Sequence, residues 1–143
     1  MQPSNLISFR IQNVASLLYK ASDRVLQEKL SIGMSQFKIL SAVQYNQRLL
    51  QRHIASALNQ TEASISRQVR LLHKKQLLVT QLNPKDRRQH ITSLTPDGQK
   101  LITRALEILE SFQARSIESL PKHQQLELLK SLEVIEQHIL LSL

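Results

Sequence analysis

Residues 83 to 98 read NPKDRRQHITSLTPDG, and two signals in that stretch decide the local path of the chain. Pro84 presets a turn dihedral, and Asn83 and Asp86 can bond their own backbone, so residues 83 to 86 predict a tight turn. On either side the pattern is extended, Leu77 to Leu82 before the turn and Arg87 to Leu94 after it, which predicts a two-stranded hairpin with a basic tip. Thr95, Pro96 and Asp97 then supply an N-cap, a first helical residue whose missing N–H is harmless, and an acid in the positive first turn. A long helix is expected from Pro96 to about Ser119, broken by Pro121. A last one should follow from about Lys122 to Leu141, with Leu126, Leu129, Leu132, Ile135 and Ile139 on one stripe.

Upstream of the hairpin the period is helical. From about Asn5 to Leu30, Ile7, Ile11, Val14, Leu18, Ala21 and Val25 recur at three- and four-residue steps, the mark of one long amphipathic helix. A second helix begins near Ser35 and carries Phe37, Ile39, Leu40 and Val43. A third spans roughly Leu50 to Leu58 with Ile54, Ala55 and Leu58 inward. Asn59 tolerates the left-handed backbone that ends a helix, and Thr61 is a good N-cap for a fourth, from about Glu62 to Gln76. Three helices with a tight turn between the last two, followed by a hairpin, make a winged helix-turn-helix.

Charge falls on the same elements. Between Arg48 and Arg104 lie eleven of the 19 Lys and Arg residues but only three of the 11 Asp and Glu, so this segment holds +8, the whole net charge of the chain. Such a segment attracts an acidic polymer and releases its counterions on contact. With two glycines, no phosphate-binding Gly-rich loop can be written, and five scattered aromatics give no stacking platform for single strands. Double-stranded DNA fits this composition. The lack of cysteine removes disulfides, thiolate metal sites and thiol redox chemistry. No signal peptide or membrane-spanning run is apparent, so a soluble, unprocessed, cytoplasmic protein of 143 residues and one domain is expected.

The fourth helix has two faces. Ile65, Val69 and Leu72 form an inward stripe, and Arg67, Arg70 and Lys74 cluster opposite. Its candidate DNA contacts are Thr61, Ser64, Ser66, Arg67, Gln68, Arg70 and Lys74; of these Ser64, Arg67 and Gln68 suit base edges in a major groove, whereas Arg70 and Lys74 suit phosphates. A charged helical face more often simply meets water, but the turn before this one and the hairpin after it favour the groove. At the hairpin tip Lys85, Asp86, Arg87 and Arg88 form the second candidate contact. Asp86 could pair with Arg88 and fix its guanidinium for a narrow minor groove; a solubilising loop tip is the plainer alternative.

Over nearly its whole length the chain resembles the MarR family of bacterial winged-helix transcription regulators. Asp86, Arg88, Leu94, Thr95 and Gly98 fall on the marked positions of the family's wing. Weaker matches are Gln36-Phe37, Ile39-Leu40, Ile54-Ala55, Ser66-Arg67, Leu72, Lys75 and Leu77-Leu78. Asn83 departs from the usual Asp, and Asn59 and Gln76 stand where Gly is common. Gln is the poorer substitute, so the backbone at Gln76 is expected to deviate. Thr92 occupies a position usually apolar, which predicts a bulged or loosely packed second strand.

The fold class expected is therefore mainly α: a winged helix-turn-helix over residues 34–95, with helical dimerisation parts at 1–30 and 96–143. The two ends carry opposite net charge, and their helices are too apolar for one-sided packing. Ile7, Ile11, Val14, Leu132, Ile135, Ile139 and Leu140 are the candidate dimer contacts. A homodimer would place two recognition helices in successive major grooves of a pseudo-palindromic site, its half-sites roughly 10 bp apart. The function expected is a sequence-specific double-stranded DNA-binding transcriptional regulator, with repression favoured over activation, a choice that depends on where the operator lies relative to the promoter. The alternative is a winged module that binds a protein and no longer uses its DNA face. No cofactor, metal site, membrane contact or catalysis is expected, since the five histidines show no ligand spacing and no HExxH pair. Regulators of the family it resembles commonly respond to a small-molecule effector in a cleft between the dimerisation helices and the winged part; no residue here names such a ligand, and a ligand-independent or protein-controlled regulator is equally open.

Overall fold

The computed structural model describes residues 2–46 and 49–143, with the side chains of Arg88 and Gln89 outside that description. Its elements are α1 (Pro3–Leu30), α2 (Met34–Tyr45), β1 (Leu49–Leu50), α3 (Gln51–Ala57), α4 (Glu62–Lys74), β2 (Leu78–Asn83), β3 (Asp86–Leu94), α5 (Pro96–Ile117) and α6 (Lys122–Leu140). The fold is mainly helical with a small antiparallel sheet, a winged helix-turn-helix. Two compact units divide within α5, Met1–Leu109 and Glu110–Leu143.

The core of the first unit is built where the helical stripes face one another. Leu26 of α1, Ile39, Leu40 and Val43 of α2, Ile54 of α3, Ile65, Val69 and Leu72 of α4 and Ile102 and Ala105 of α5 are each within about 1% of complete burial. The early turns of α1 take no part in it: Ile7, Ile11 and Val14 are exposed, and α1 is buried only at Ser22 and Leu26. Asp23 nevertheless ties α1 to the next helix, its Oδ1 accepting the Met34 N–H at 2.7 Å. That carboxylate satisfies a first-turn donor of α2, which has no side-chain cap of its own.

Helix ends are closed by left-handed residues. After α3, Asn59 (φ 50) allows Gln60 N–H to reach the Ala55 carbonyl at 2.9 Å and Asn59 N–H the Ser56 carbonyl at 3.2 Å, a Schellman pair of bonds. The same pair follows α4, with Leu77 N–H on Leu72 and Gln76 N–H on His73. Gln76 sits at φ 58, so the expectation of a deviant backbone there is corrected: Gln makes the left-handed turn itself. Two backbone hydrogen bonds offset the modest strain of a side chain at that position.

The sheet has one strand more than the hairpin supplies. Its order is β1-β3-β2, and the pair Leu49–Leu50, anticipated at the edge of the third helix, instead runs antiparallel to Ile91 and Thr92. Thr92 is therefore flanked on both sides and fully buried, and its Oγ1 has no hydrogen-bond partner. The register irregularity lies at Leu82/Asn83 beside the turn, not at Thr92 as expected. At the base of the hairpin, Thr95 closes the loop. Its N–H donates to the Leu77 carbonyl at 3.1 Å, its Oγ1 donates to the Gln76 carbonyl at 2.6 Å, and the same Oγ1 caps α5 by accepting the Gly98 N–H at 3.0 Å. Gly98 must be glycine here because a Cβ would lie 2.1 Å from the Leu77 carbonyl oxygen.

The second unit comprises the end of α5 and all of α6. Pro121 caps α6 with its carbonyl, which accepts the N–H groups of Gln124 and Gln125, and the Gln125 side chain returns to the Leu120 carbonyl at 2.8 Å. No residue of α6 is buried. Leu132, Ile135, Ile139 and Leu140 are all exposed, as are Leu126, Leu128, Leu129 and Val134.

Candidate nucleic-acid interface

α4 is set for a groove by its own start signal. Thr61 has extended backbone, and its Oγ1 accepts the Ser64 N–H at 3.2 Å, so its hydroxyl is committed to capping. Glu62 lies in the positive first turn and His73 and Lys74 in the negative last turn, an order that complements the helix dipole. With Ile65, Val69 and Leu72 inward, the candidate contacts Ser64, Ser66, Arg67, Gln68, Arg70 and Lys74 lie at other angles of the helix.

Their states differ. Arg67, Arg70 and Lys74 are exposed, and Ser64, Ser66 and Gln68 are half-buried. Ser64 donates to the Gln60 side chain at 3.4 Å, and Arg70 Nε donates to the Ser66 carbonyl one turn back at 3.4 Å. That bond uses one of five guanidinium N–H groups and leaves a forked donor set for an anion. Arg67 and Lys74 have no side-chain partner among the described residues. Gln68 is held by Gln36 of α2, whose Nε2 donates to Gln68 Oε1 at 3.3 Å.

The wing presents cations beside a tight turn. Asn83 pairs with Asp86 in register, leaving Pro84 and Lys85 as a two-residue turn, and Asn83 Oδ1 accepts the Lys85 N–H at 3.0 Å. Lys85 and Arg87 are exposed without a side-chain partner among the described residues, while Asp86 is half-buried. The Arg88 side chain, and with it the expected pairing to Asp86, lies outside the described residues. The wing and α4 are joined by a hydrogen bond between His73 Nε2 and Thr80 Oγ1.

Several contributors escape sequence reasoning. Gln36, Lys75, His73 and Thr80 organise the site through partners 7 to 44 residues away, beyond any local periodicity. Leu71 is 41% exposed on α4; it falls outside the Ile65, Val69, Leu72 phase, and that break was the available signal. An exposed apolar side chain on such a helix can meet a thymine methyl group. Among the described residues no group of three or more His, Asp or Glu could hold a metal ion, and no helix is long and apolar enough to cross a membrane.

Known proteins share this fold. Residues 30–89 match the model of the MarR family. Among solved structures, that of MepR, a transcription regulator of the Staphylococcus aureus multidrug efflux pump MepA, is 20% identical with a TM-score of 0.82, covering 92% of this chain and 97% of that one. The S. aureus MepR–DNA complex is 23% identical at a TM-score of 0.78, covering 95% and 97%. The transcriptional repressor CouR bound to a 23-mer DNA duplex is also 23% identical at 0.78, covering 93% and 94%. Among curated proteins, comparison by sequence finds no match. Residues 30–89, which hold the helix-turn-helix and the tip of the wing, are thus similar to the MarR family.

Proposed function

We propose that this protein is a transcriptional regulator that binds specific sites on double-stranded DNA as a homodimer, with α4 in the major groove and the wing tip in the adjacent minor groove. The observation that carries the reading is the set of cations without intramolecular partners, Arg67 and Lys74 on α4 and Lys85 and Arg87 at the wing, on two elements fastened together by His73 and Thr80. Unpaired, exposed guanidinium and ammonium groups keep their full capacity for phosphate oxygens and base acceptors. The DNA-bound MepR and CouR structures, alike in fold, support the same use of this scaffold.

Dimerisation follows from the apolar surface. Ile7, Ile11 and Val14 in the first unit, and Leu132, Ile135, Ile139 and Leu140 in the second, face solvent in a single chain, and exposed apolar stripes of that kind on each helix mark interaction surfaces. Two-fold pairing through both sets turns one recognition helix into two, and a pseudo-palindromic operator follows from that symmetry. Repression is the mode favoured here, with CouR as the supporting parallel. A small-molecule effector is compatible with this reading.

Fluorescence anisotropy with duplex DNA across a salt series tests it. Affinity should fall steeply as salt rises. Lys74→Ala should weaken all duplexes alike and flatten the salt slope by about one, whereas Arg67→Ala should also relax sequence preference. Absent or salt-independent binding across a duplex library would sink the proposal in favour of a winged module that binds a protein partner.

A further inference from the structure

We infer that Gln68 reads the major groove as a hydrogen-bond donor, selecting guanine over adenine, because a relay that starts at Lys75 fixes which end of its amide is available. This rests on the DNA-binding reading above. An ammonium group can only donate. Lys75 Nζ donates to the Ser31 carbonyl oxygen at 2.5 Å and to Gln36 Oε1 at 3.3 Å. The Ser31 carbonyl is open to it because α1 ends there in a left-handed residue, φ 55. With its oxygen committed to Lys75, Gln36 turns its Nε2 toward α4 and donates to Gln68 Oε1 at 3.3 Å. The orientation of both amides is thus set from one end by a group with no acceptor capacity.

The consequence is chemical. An unrestrained glutamine reads adenine with both ends of its amide, donating to N7 and accepting from the N6 amino group. Gln68 has its oxygen engaged by α2, and only its Nε2, with two N–H groups, is left without a partner among the described residues. Guanine offers two acceptors, O6 and N7, to such a donor. The N6 amino group of adenine must share the Gln68 oxygen with the Gln36 donor, which weakens the second half of its usual match, and cytosine presents a donor where an acceptor is needed.

Selection of bound duplexes from a random library, run in parallel on the wild-type protein and on Gln68→Ala, Gln36→Glu and Gln36→Leu, tests the relay. The position read by Gln68 is the one whose preference Gln68→Ala levels, and it should be guanine in the wild type. Gln36→Glu keeps Lys75 satisfied but offers only acceptors, so Gln68 must turn its amide over and present oxygen. Preference at that position should then move by about tenfold from guanine toward cytosine. Gln36→Leu frees the amide and should raise adenine, which keeps the inference testable if Gln36→Glu folds poorly by circular dichroism. An unchanged guanine preference in both Gln36 variants would overturn the relay, as would a wild-type motif in which Gln68→Ala levels no position. Failure of the wild type to enrich any motif would remove the DNA-binding reading itself, and this inference with it.

Discussion

The two compact units treat their apolar side chains in opposite ways. In Met1–Leu109, apart from the early turns of α1, the stripes of five helices and the base of the sheet close over one another, and every residue of the buried core lies at or before Leu109. In Glu110–Leu143, α6 is as rich in Leu and Ile yet buries none of them. The winged unit completes its own core within one copy of the chain. The helical unit has apolar surface without intramolecular cover, which is the physical basis for assigning it to pairing in the function proposed above.

The largest test of that contrast is Leu72→Ala. Leu72 is fully buried, so the truncation should lower the unfolding free energy in urea by about 2–5 kcal/mol, a loss of the same size at every protein concentration. A loss below about 1 kcal/mol would mean that the winged core is looser than its packing indicates. Next in size is Gly98→Ala. Its methyl group would collide with the Leu77 carbonyl, and relief requires the start of α5 to shift from the hairpin, a destabilisation of about 1–3 kcal/mol readable by thermal melting. In the other unit, Leu129→Ala at a 54% exposed residue should act through association: sedimentation should show dimer dissociation rising about tenfold. Its melting shift should shrink as protein concentration rises. The same concentration-independent loss as Leu72→Ala would erase the contrast. The smallest effect is a gain. Thr92→Val removes a buried hydroxyl that has no partner and should stabilise the protein by about 1 kcal/mol in urea unfolding.

Local signals were legible in the sequence wherever a few adjacent residues decide the backbone. Thr61 before the Ile65, Val69, Leu72 stripe, Asn59 at the end of α3, the turn at Asn83 to Asp86 and the Thr95-Pro96-Asp97 start all lie within one or two turns of what they control. The strand at Leu49–Leu50 was not legible: two residues cannot show alternation, and their partners Thr92 and Ile91 lie far along the chain. For the same reason the sequence named Gln68 as a candidate reader but not Gln36 and Lys75 as the groups that orient it. Thr92 was misread because its polarity predicted loose packing, whereas β1 covers it on the side a hairpin alone would leave open. The positive φ at Gln76 was missed because residue type is a weak guide to a turn that two backbone bonds hold.

Thr95 has a consequence for how this molecule can vary. By binding the Gln76 and Leu77 carbonyls at one end of the hairpin while capping α5, it anchors the strands at their root, independently of the tip. Lengthening such an anchored hairpin adds little closure entropy, about 0.6 kcal/mol for each doubling of the loop. Side chains alternate along each strand, so matched two-residue insertions on both sides of Pro84 and Lys85 would keep every inward residue inward, while single insertions would turn the strand over. The reach of the wing is therefore adjustable in paired steps, with the helix-turn-helix left as it is.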